Sequence, residues 1–120
     1  MGDFGFTFLV EELAVAAKHR LPVTVVILNN ANLSLIRQNQ KYAYGYEYAV
    51  EMKENKDLID YIKVAEGFGC KAERVLSTAD LPAALERAEK ADGPYVVEVF
   101  VEDETDCNMG IAIDAIKVFI

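Results

Sequence analysis

Two short polar segments contain the residue types that can hold a metal ion and an anion. The first is Gly2-Asp3-Phe4-Gly5, and the second, further along the chain, is Asn29-Asn30-Ala31-Asn32. Carboxylate, amide and backbone carbonyl oxygens are hard ligands, which suit Mg²⁺ or Ca²⁺ and not zinc. The glycines of the first segment allow close approach of the backbone to an anion. Together the segments predict a clamp for a metal ion and a diphosphate.

A helix and a strand must bring these two segments together. Residues 6–20 carry apolar side chains at intervals of three and four, which predicts a helix. Residues 23–28 form a near-continuous β-branched run, typical of a parallel strand that is covered on both faces. We expect the strand before Gly2 to be absent or reduced to a residue or two. If it pairs beside residues 23–28, both segments lie at one sheet edge, where the helix N-terminus favours a diphosphate.

The remaining pattern alternates helices with buried strands. It predicts the α/β class, with a parallel sheet, helices on both faces and right-handed crossovers. Residues 41–60 are expected to be loop with some helix. The expected core face of the fourth helix, which Ser77 or Thr78 caps, is Leu81, Ala84, Leu85 and Ala88. The other expected elements are helices at 33–40 and 60–68, and strands at 70–76 and 95–101.

Composition excludes several classes of function. Twelve Lys and Arg against 20 Asp and Glu give a formal net charge of −8, which argues against nucleic-acid or anionic-membrane partners. The chain has 52% hydrophobic and 27% charged residues, which is typical of a globular protein. No membrane span or signal peptide is expected, and Cys70 and Cys107 form no CxxC pattern, so we expect reduced thiols and a cytoplasmic location.

Simpler interpretations exist for each polar segment. A Gly-Asp pair at a helix start is most often an N-cap, and Asn-Asn after a strand is most often a turn. Their joint occurrence at one sheet edge is what favours function. The sequence contains neither a P-loop nor the GxGxxG fingerprint.

Other residues have a structural and a functional interpretation, and no catalytic residue is assigned. His19 is expected to interact favourably with the dipole at the carboxyl end of a helix and not to act as a base. Arg37 is expected at a solvated helix position, the alternative being contact with a small carboxylate substrate. Four tyrosines at alternate positions predict a half-buried extended segment or lid packing, or else a substrate channel: Tyr42, Tyr44, Tyr46 and Tyr48.

The segment Gly2-Asp3-Phe4-Gly5-Phe6, followed by Asn29-Asn30, resembles the thiamine diphosphate motif of the acetolactate-synthase-like enzymes. That motif opens GDG, closes NN and lies in the diphosphate-binding (PP) domain. Residues 11–16, 35–38 and 63–72, with Asn108-Met109-Gly110 and Asp114, are most similar to the glyoxylate carboligases (tartronate-semialdehyde synthases). The resemblance covers nearly the whole chain. It identifies residues 1–120 as the C-terminal part of a PP domain, without the pyrimidine-binding and middle domains.

The resemblance implies a set of site residues. The side chains of Asp3 and Asn30 and the backbone carbonyl of Asn32 would bind Mg²⁺. The residues that would line the diphosphate and the thiazolium end are Gly2, Phe4, Gly5, Leu33 and Ser34. Phe4 and Ser34 both stand where the broader motif has glycine.

The resemblance also implies an activity. Such enzymes use thiamine diphosphate and Mg²⁺ to join two glyoxylates, a 2-oxo acid substrate, into tartronate semialdehyde and CO₂. Each active site lies between the PP domain and a partner subunit's pyrimidine-binding domain, which implies a homo-oligomer, and FAD belongs to the middle domain of the full-length enzyme. We therefore expect the isolated chain to be inactive. The alternatives are a ligand-free fragment that self-associates and a part of another acetolactate-synthase-like enzyme.

Overall fold

The computed structural model describes residues 1–8, 10–52, 59–102 and 106. Its centre is a three-stranded parallel sheet with the order β1-β3-β2. The strands are β1 (Thr24–Asn29), β2 (Lys71–Val75) and β3 (Tyr95–Phe100). The predicted α/β class with a parallel sheet is confirmed.

Five α-helices surround this sheet in the described part of the chain. They are α1 (Asp3–Phe6), α2 (Glu12–Lys18), α3 (Ser34–Asn39), α4 (Tyr61–Gly67) and α5 (Leu81–Glu89). A π-helical turn, Gln40–Tyr44, continues α3, and a 3₁₀ turn, Thr78–Asp80, leads into α5. Ser77 caps that 3₁₀ turn, because its side chain accepts a hydrogen bond from the N–H of Ala79.

The core lies on both faces of the sheet, because successive residues of a strand point to opposite faces. Val96 and Val97 of β3 are both fully buried, and each belongs to a different cluster. Val96 packs with residues of α1, α2 and α4, whereas Val97 packs with Ala84 and Ala88 of α5. The predicted placement of helices on both faces is therefore confirmed.

The single helix predicted over residues 6–20 is wrong, since α1 and α2 are separate helices. Near Thr7 the backbone changes from i−4 to i−3 hydrogen bonds, as the N–H groups of Thr7 and Phe8 donate to Phe4 and Gly5. The Thr7 hydroxyl also donates to the Phe4 carbonyl at 2.7 Å. This side-chain bond competes with the helical ladder, which gives a physical reason for the break.

Two further expectations are wrong, one of them in part. Leu85, expected on the core face of α5, is 39% exposed, whereas Ala84 and Ala88 of that set are buried. The extended segment expected for the four alternating tyrosines is wrong for the first two, which lie in the π-helical turn, and all four are more than half exposed. Lid packing and a substrate channel stay predictions.

Among the described residues, no helix combines the length and apolar character that crossing a membrane requires. Several expectations fall on residues outside the described part of the chain. They concern Cys107, residues 108–110, Asp114 and positions 53–58 of the loop expected over residues 41–60.

Replacing Ile27 by alanine should lower the free energy of unfolding by about 2–5 kcal/mol, because its side chain is completely buried in β1. Urea unfolding of the purified variant measures this loss. The control is Leu85→Ala, whose partly exposed side chain should cost about 1 kcal/mol or less. Equal losses for the two variants would contradict the described core.

Candidate functional site

The first two residues form a short parallel pairing with β1. The N–H of Leu28 donates to the Met1 carbonyl at 2.8 Å, and the N-terminal ammonium donates to the Val26 carbonyl at 2.8 Å. Gly2 and Leu28 form a parallel bridge. A strand reduced to a residue or two beside β1 is therefore what the structure contains. It carries the chain directly into the first polar segment.

The carboxylate of Asp3 connects the two polar segments. The side chain is only 4% exposed. Its Oδ1 accepts a hydrogen bond from the N–H of Phe4, and its Oδ2 accepts one from the N–H of Ala31, each at 2.9 Å. Each carboxylate oxygen keeps a further lone pair for another partner. The sequence-predicted meeting of the two segments at the carboxyl edge of the sheet is confirmed.

The backbone of the second segment has an unusual conformation at Ala31. Its φ of +52° lies in the left-handed region, which costs an alanine of order 1–3 kcal/mol. The N–H of Ala31 is shared between Asp3 and the Oδ1 of Asn29, both at 2.9 Å. These two acceptors hold the residue in this conformation. Ala31 lies between the two predicted metal ligands of this segment, Asn30 and Asn32.

The two flanking asparagines have different surroundings. The Nδ2 of Asn30 donates to the Oγ of Ser34, which turns the amide oxygen of Asn30 away from that hydroxyl. Asn32 is buried, and its Oδ1 has no hydrogen-bond partner among the described residues. A buried oxygen without a hydrogen-bond partner costs free energy. A bound ligand that contacted this oxygen would offset that cost. The Asn32 carbonyl accepts a long hydrogen bond, 3.4 Å, from the Ser34 hydroxyl.

A second backbone segment holds this loop from the other side. The N–H of Leu33 donates to the Val50 carbonyl at 2.9 Å, and the N–H of Met52 donates to the Ala31 carbonyl at 2.8 Å. Asn32 and Glu51 form an antiparallel bridge between them. The loop is therefore fixed by backbone hydrogen bonds as well as by Asp3.

The donor set fits a hard cation. No group of three His, Cys, Asp or Glu side chains lies together in the part of the chain that the structure describes. A cation here would be held by one carboxylate together with amide and carbonyl oxygens, and a ligand would complete its coordination, as is typical of Mg²⁺. A Cβ atom added at Gly2 or Gly5 would meet nothing within 4 Å, so open space borders the first segment.

The expected contribution of a helix dipole needs correction. Helix α1 has only four residues, and Gly2 is its N-cap. One turn of helix aligns too few peptide groups for a full macrodipole. An anion at this position would depend on individual backbone N–H groups.

His19 and Arg37 differ in their exposure to solvent. His19 is exposed at the C-cap of α2, where a helix dipole interaction was expected. Arg37 is only 5% exposed, so the expected solvated position is wrong. Its guanidinium contacts Asp106 at 3.1 Å and Glu47 at 3.9 Å, and its Nε has no partner among the described residues.

Asp106 is the centre of this second polar cluster. Besides Arg37, it accepts hydrogen bonds from the Tyr42 hydroxyl at 2.7 Å and the Lys41 ammonium at 3.1 Å. These hydrogen bonds, from Tyr42 first and then Lys41, hold the pKa of the Asp106 carboxyl below its usual value. The cluster balances its own charges and connects residue 106 to α3 and its π-helical turn.

One buried carboxylate near the site was not predicted from the sequence. Glu98 of β3 is 1% exposed and accepts hydrogen bonds from the Nδ2 of Asn29 and the Nε of Arg74, both at 2.6 Å. The available signal was a single charged residue inside the apolar run of β3. Glu98 and Asp3 also act on Tyr61, whose pKa rises to about 12, first through burial and then through these two negative charges.

Replacing Asp3 by asparagine should lower the free energy of unfolding by about 1–3 kcal/mol. One oxygen becomes an NH₂ group that faces the N–H of Phe4 or of Ala31, so a part-buried N–H loses the Asp3 oxygen as its acceptor and faces another donor. Denaturant unfolding measures the effect. Asp80→Asn, an exposed position without a side-chain capping bond, should stay within about 0.5 kcal/mol of the parent. An equally small loss for Asp3→Asn would contradict the described contacts.

The Tyr61 hydroxyl should remain protonated up to about pH 12 in the folded chain. Folding raises this pKa from 10.0. The contribution of Tyr61 to the free energy of unfolding is therefore complete below pH 10 and is lost as pH rises between 10 and 12. The difference in tyrosinate absorbance between the parent and Tyr61→Phe isolates this titration. Replacing Asp3 by asparagine should lower the pKa, since one negative charge is removed. A midpoint near pH 10 in the parent would rule out the described environment.

Comparisons with known proteins agree on one family. Residues 1–99 match the family model of the thiamine pyrophosphate enzyme, C-terminal TPP binding domain. The glyoxylate carboligase of Escherichia coli O157:H7 is 42% identical over 130 aligned residues, which cover 98% of this chain and 22% of that protein. The acetolactate synthase large subunit of Porphyra purpurea is 31% identical over 111 residues, 92% of this chain and 19% of that protein.

A solved structure shows the same likeness in three dimensions. The thiamine diphosphate-dependent 4-hydroxybenzoylformate decarboxylase of Rhodococcus jostii RHA1 superposes with a TM-score of 0.77 and 28% sequence identity. The match covers 85% of this chain and 19% of that protein. The chain thus spans about a fifth of the length of the relatives that it matches.

Proposed function

Because the chain belongs to the thiamine pyrophosphate enzyme family and carries its C-terminal TPP-binding domain, we propose that it binds the diphosphate of this cofactor through Mg²⁺. The observation that carries the proposal is the contact between Asp3 and Ala31, which joins the two polar segments at the carboxyl edge of the sheet. In open parallel sheets this edge is where ligands bind.

Three residues would hold the cation. They are Asp3 through its carboxylate, Asn30 through its amide oxygen and Asn32 through its backbone carbonyl. The Asp3 carboxylate and the Asn30 amide oxygen are both in surroundings that leave lone pairs for a further partner. Oxygens of the diphosphate and water would complete the octahedron that Mg²⁺ requires. The residues proposed to line the diphosphate and the thiazolium end are Gly2, Phe4, Gly5, Leu33 and Ser34.

Ser34 has a role that a glycine at this position lacks. Its hydroxyl accepts from the Asn30 amide and approaches the Asn32 carbonyl at 3.4 Å. The side chain therefore orients one proposed ligand while it remains close to the other.

We propose that these residues form one part of the active site of a carboligase, which joins two glyoxylates into tartronate semialdehyde and CO₂. The support is the identity with a glyoxylate carboligase over almost the whole chain. When bound, the cofactor supplies the carbon nucleophile for the 2-oxo acid, while the protein supplies position and electrostatic field. Asp3 and Asn30 would fix the diphosphate, and the rigid loop at residues 30–33 would orient the cofactor relative to the sheet.

The remaining parts of the active site would come from outside this chain, which spans about a fifth of its relatives. We propose a cytoplasmic homo-oligomer in which a pyrimidine-binding domain of a partner subunit completes the site. FAD would belong to the middle domain of the full-length enzyme. A role in another acetolactate-synthase-like synthase or decarboxylase remains the second candidate, supported by the acetolactate synthase relative.

Thiamine diphosphate with Mg²⁺ should raise the melting temperature of the chain, and free diphosphate with Mg²⁺ should do the same. A ligand that binds only the folded state adds RT ln(1 + [L]/Kd), about 2.7 kcal/mol at a hundredfold excess over Kd. Melts with each ligand, with and without Mg²⁺, measure the shift. Melting temperatures that depend on protein concentration but not on any ligand would instead support the self-associating fragment.

Asp3→Ala should abolish the Mg²⁺-dependent heat of diphosphate binding in a calorimetric titration and leave helical content nearly unchanged. The reason is that the only carboxylate of the proposed ligand set is lost. The matched control is Asp80→Ala, which removes an exposed carboxylate at the start of α5 and should bind as the parent does. Unaltered binding by the Asp3 variant would refute the metal clamp.

A further inference from the structure

Glu98 is a carboxylate in the middle of the sheet. Its strand, β3, lies between β1 and β2, and in the register it stands between Ile27 and Arg74. The side chain is 1% exposed. A buried carboxylate is costly unless it is both paired and hydrogen-bonded. Here each oxygen has one strong donor, Asn29 on Oε1 and Arg74 on Oε2.

The contact with Asn29 continues into the proposed metal loop. Because the Nδ2 of Asn29 donates to Glu98, its Oδ1 faces the opposite way and accepts the N–H of Ala31. That same N–H also donates to Asp3. A continuous path of hydrogen bonds therefore runs from the buried carboxylate to the strained residue between Asn30 and Asn32.

We propose that Glu98 is a positioning residue for the metal loop. By fixing which end of the Asn29 amide faces Ala31, it holds Ala31 in the left-handed region and so sets the placement of the residues on either side. In this role Glu98 would act through Asn29 and would touch neither the cation nor the cofactor. The inference rests on the proposed function for its metal, but the effect on the loop exists without any ligand.

Exchanging donor and acceptor between the two side chains gives a sharp test. In Glu98→Gln, the single side-chain oxygen should face the charged Arg74, because a charge-assisted hydrogen bond is stronger than a neutral one, and the NH₂ group then faces Asn29. In Asn29→Asp, two carboxylates face each other at the position of a 2.6 Å contact. In the double variant, the new amide at position 98 can donate to the new carboxylate at position 29 and accept from Arg74. That carboxylate still accepts the N–H of Ala31, and the summed charge of the three side chains is restored.

Each single variant should weaken Mg²⁺ binding in the presence of thiamine diphosphate by about 10- to 100-fold, the range for partners behind a metal ligand. The double variant should recover to within a few-fold of the parent. Calorimetry on the full chain measures the affinity. Hydrogen exchange of the Ala31 amide, without ligand, should be faster in both single variants and slow again in the double variant.

Arg74→Gln is the matched control. It removes the ion pair with Glu98 but leaves Asn29 its acceptor, so stability should fall while Mg²⁺ affinity and Ala31 exchange stay near the parent values. Glu98→Gln with unchanged Mg²⁺ affinity and Ala31 exchange would overturn the proposal, as would a double variant that recovers neither. If the parent chain fails to bind Mg²⁺ and thiamine diphosphate, the proposed function fails, and Ala31 exchange still decides the role of Glu98.

Discussion

The hydrogen bond from the N–H of Ala31 to the carboxylate of Asp3 is the interaction on which the candidate site depends. It joins segments 28 positions apart in the chain. The bond can form only because Met1 and Gly2 pair with the end of β1, which delivers Asp3 to the loop that follows that strand. Sheet pairing therefore sets the coarse position, and one carboxylate sets the fine position.

Local sequence pattern was sufficient for the sheet and most helices. The β-branched run of β1 and the alternation of helices and strands led to the parallel sheet with two covered faces, and both core clusters agree. The prediction of helices from local pattern was wrong where a single polar group competes with the apolar periodicity. The apolar spacing continues across Thr7, but the Thr7 hydroxyl bonds to the backbone and ends α1. Leu85 has the spacing of a core residue, yet the buried residues of α5 are Ala84 and Ala88, and Leu85 is 39% exposed.

The sequence predicted which polar residues lie together where they share one sheet edge, and it failed for those whose burial depends on distant partners. Asp3 meets the asparagine loop because strand order places them together. Arg37 and Glu98 are charged residues whose burial depends on Asp106 and Asn29, each 69 positions away. No local pattern contains such a partner. The sequence therefore predicted a solvated position for Arg37 and gave no prediction for Glu98.

The backbone on both sides of the asparagine loop has a consequence for the entropy of binding. Asp3 holds the loop from one side, and the backbone of Val50 and Met52 holds it from the other. Fixing the backbone of a single residue costs about 1–2 kcal/mol of conformational entropy. In this chain the cost is met during folding, so a ligand that arrives later meets a preorganised loop. Affinity would then depend on how completely the loop is ordered beforehand as much as on the ligand atoms themselves.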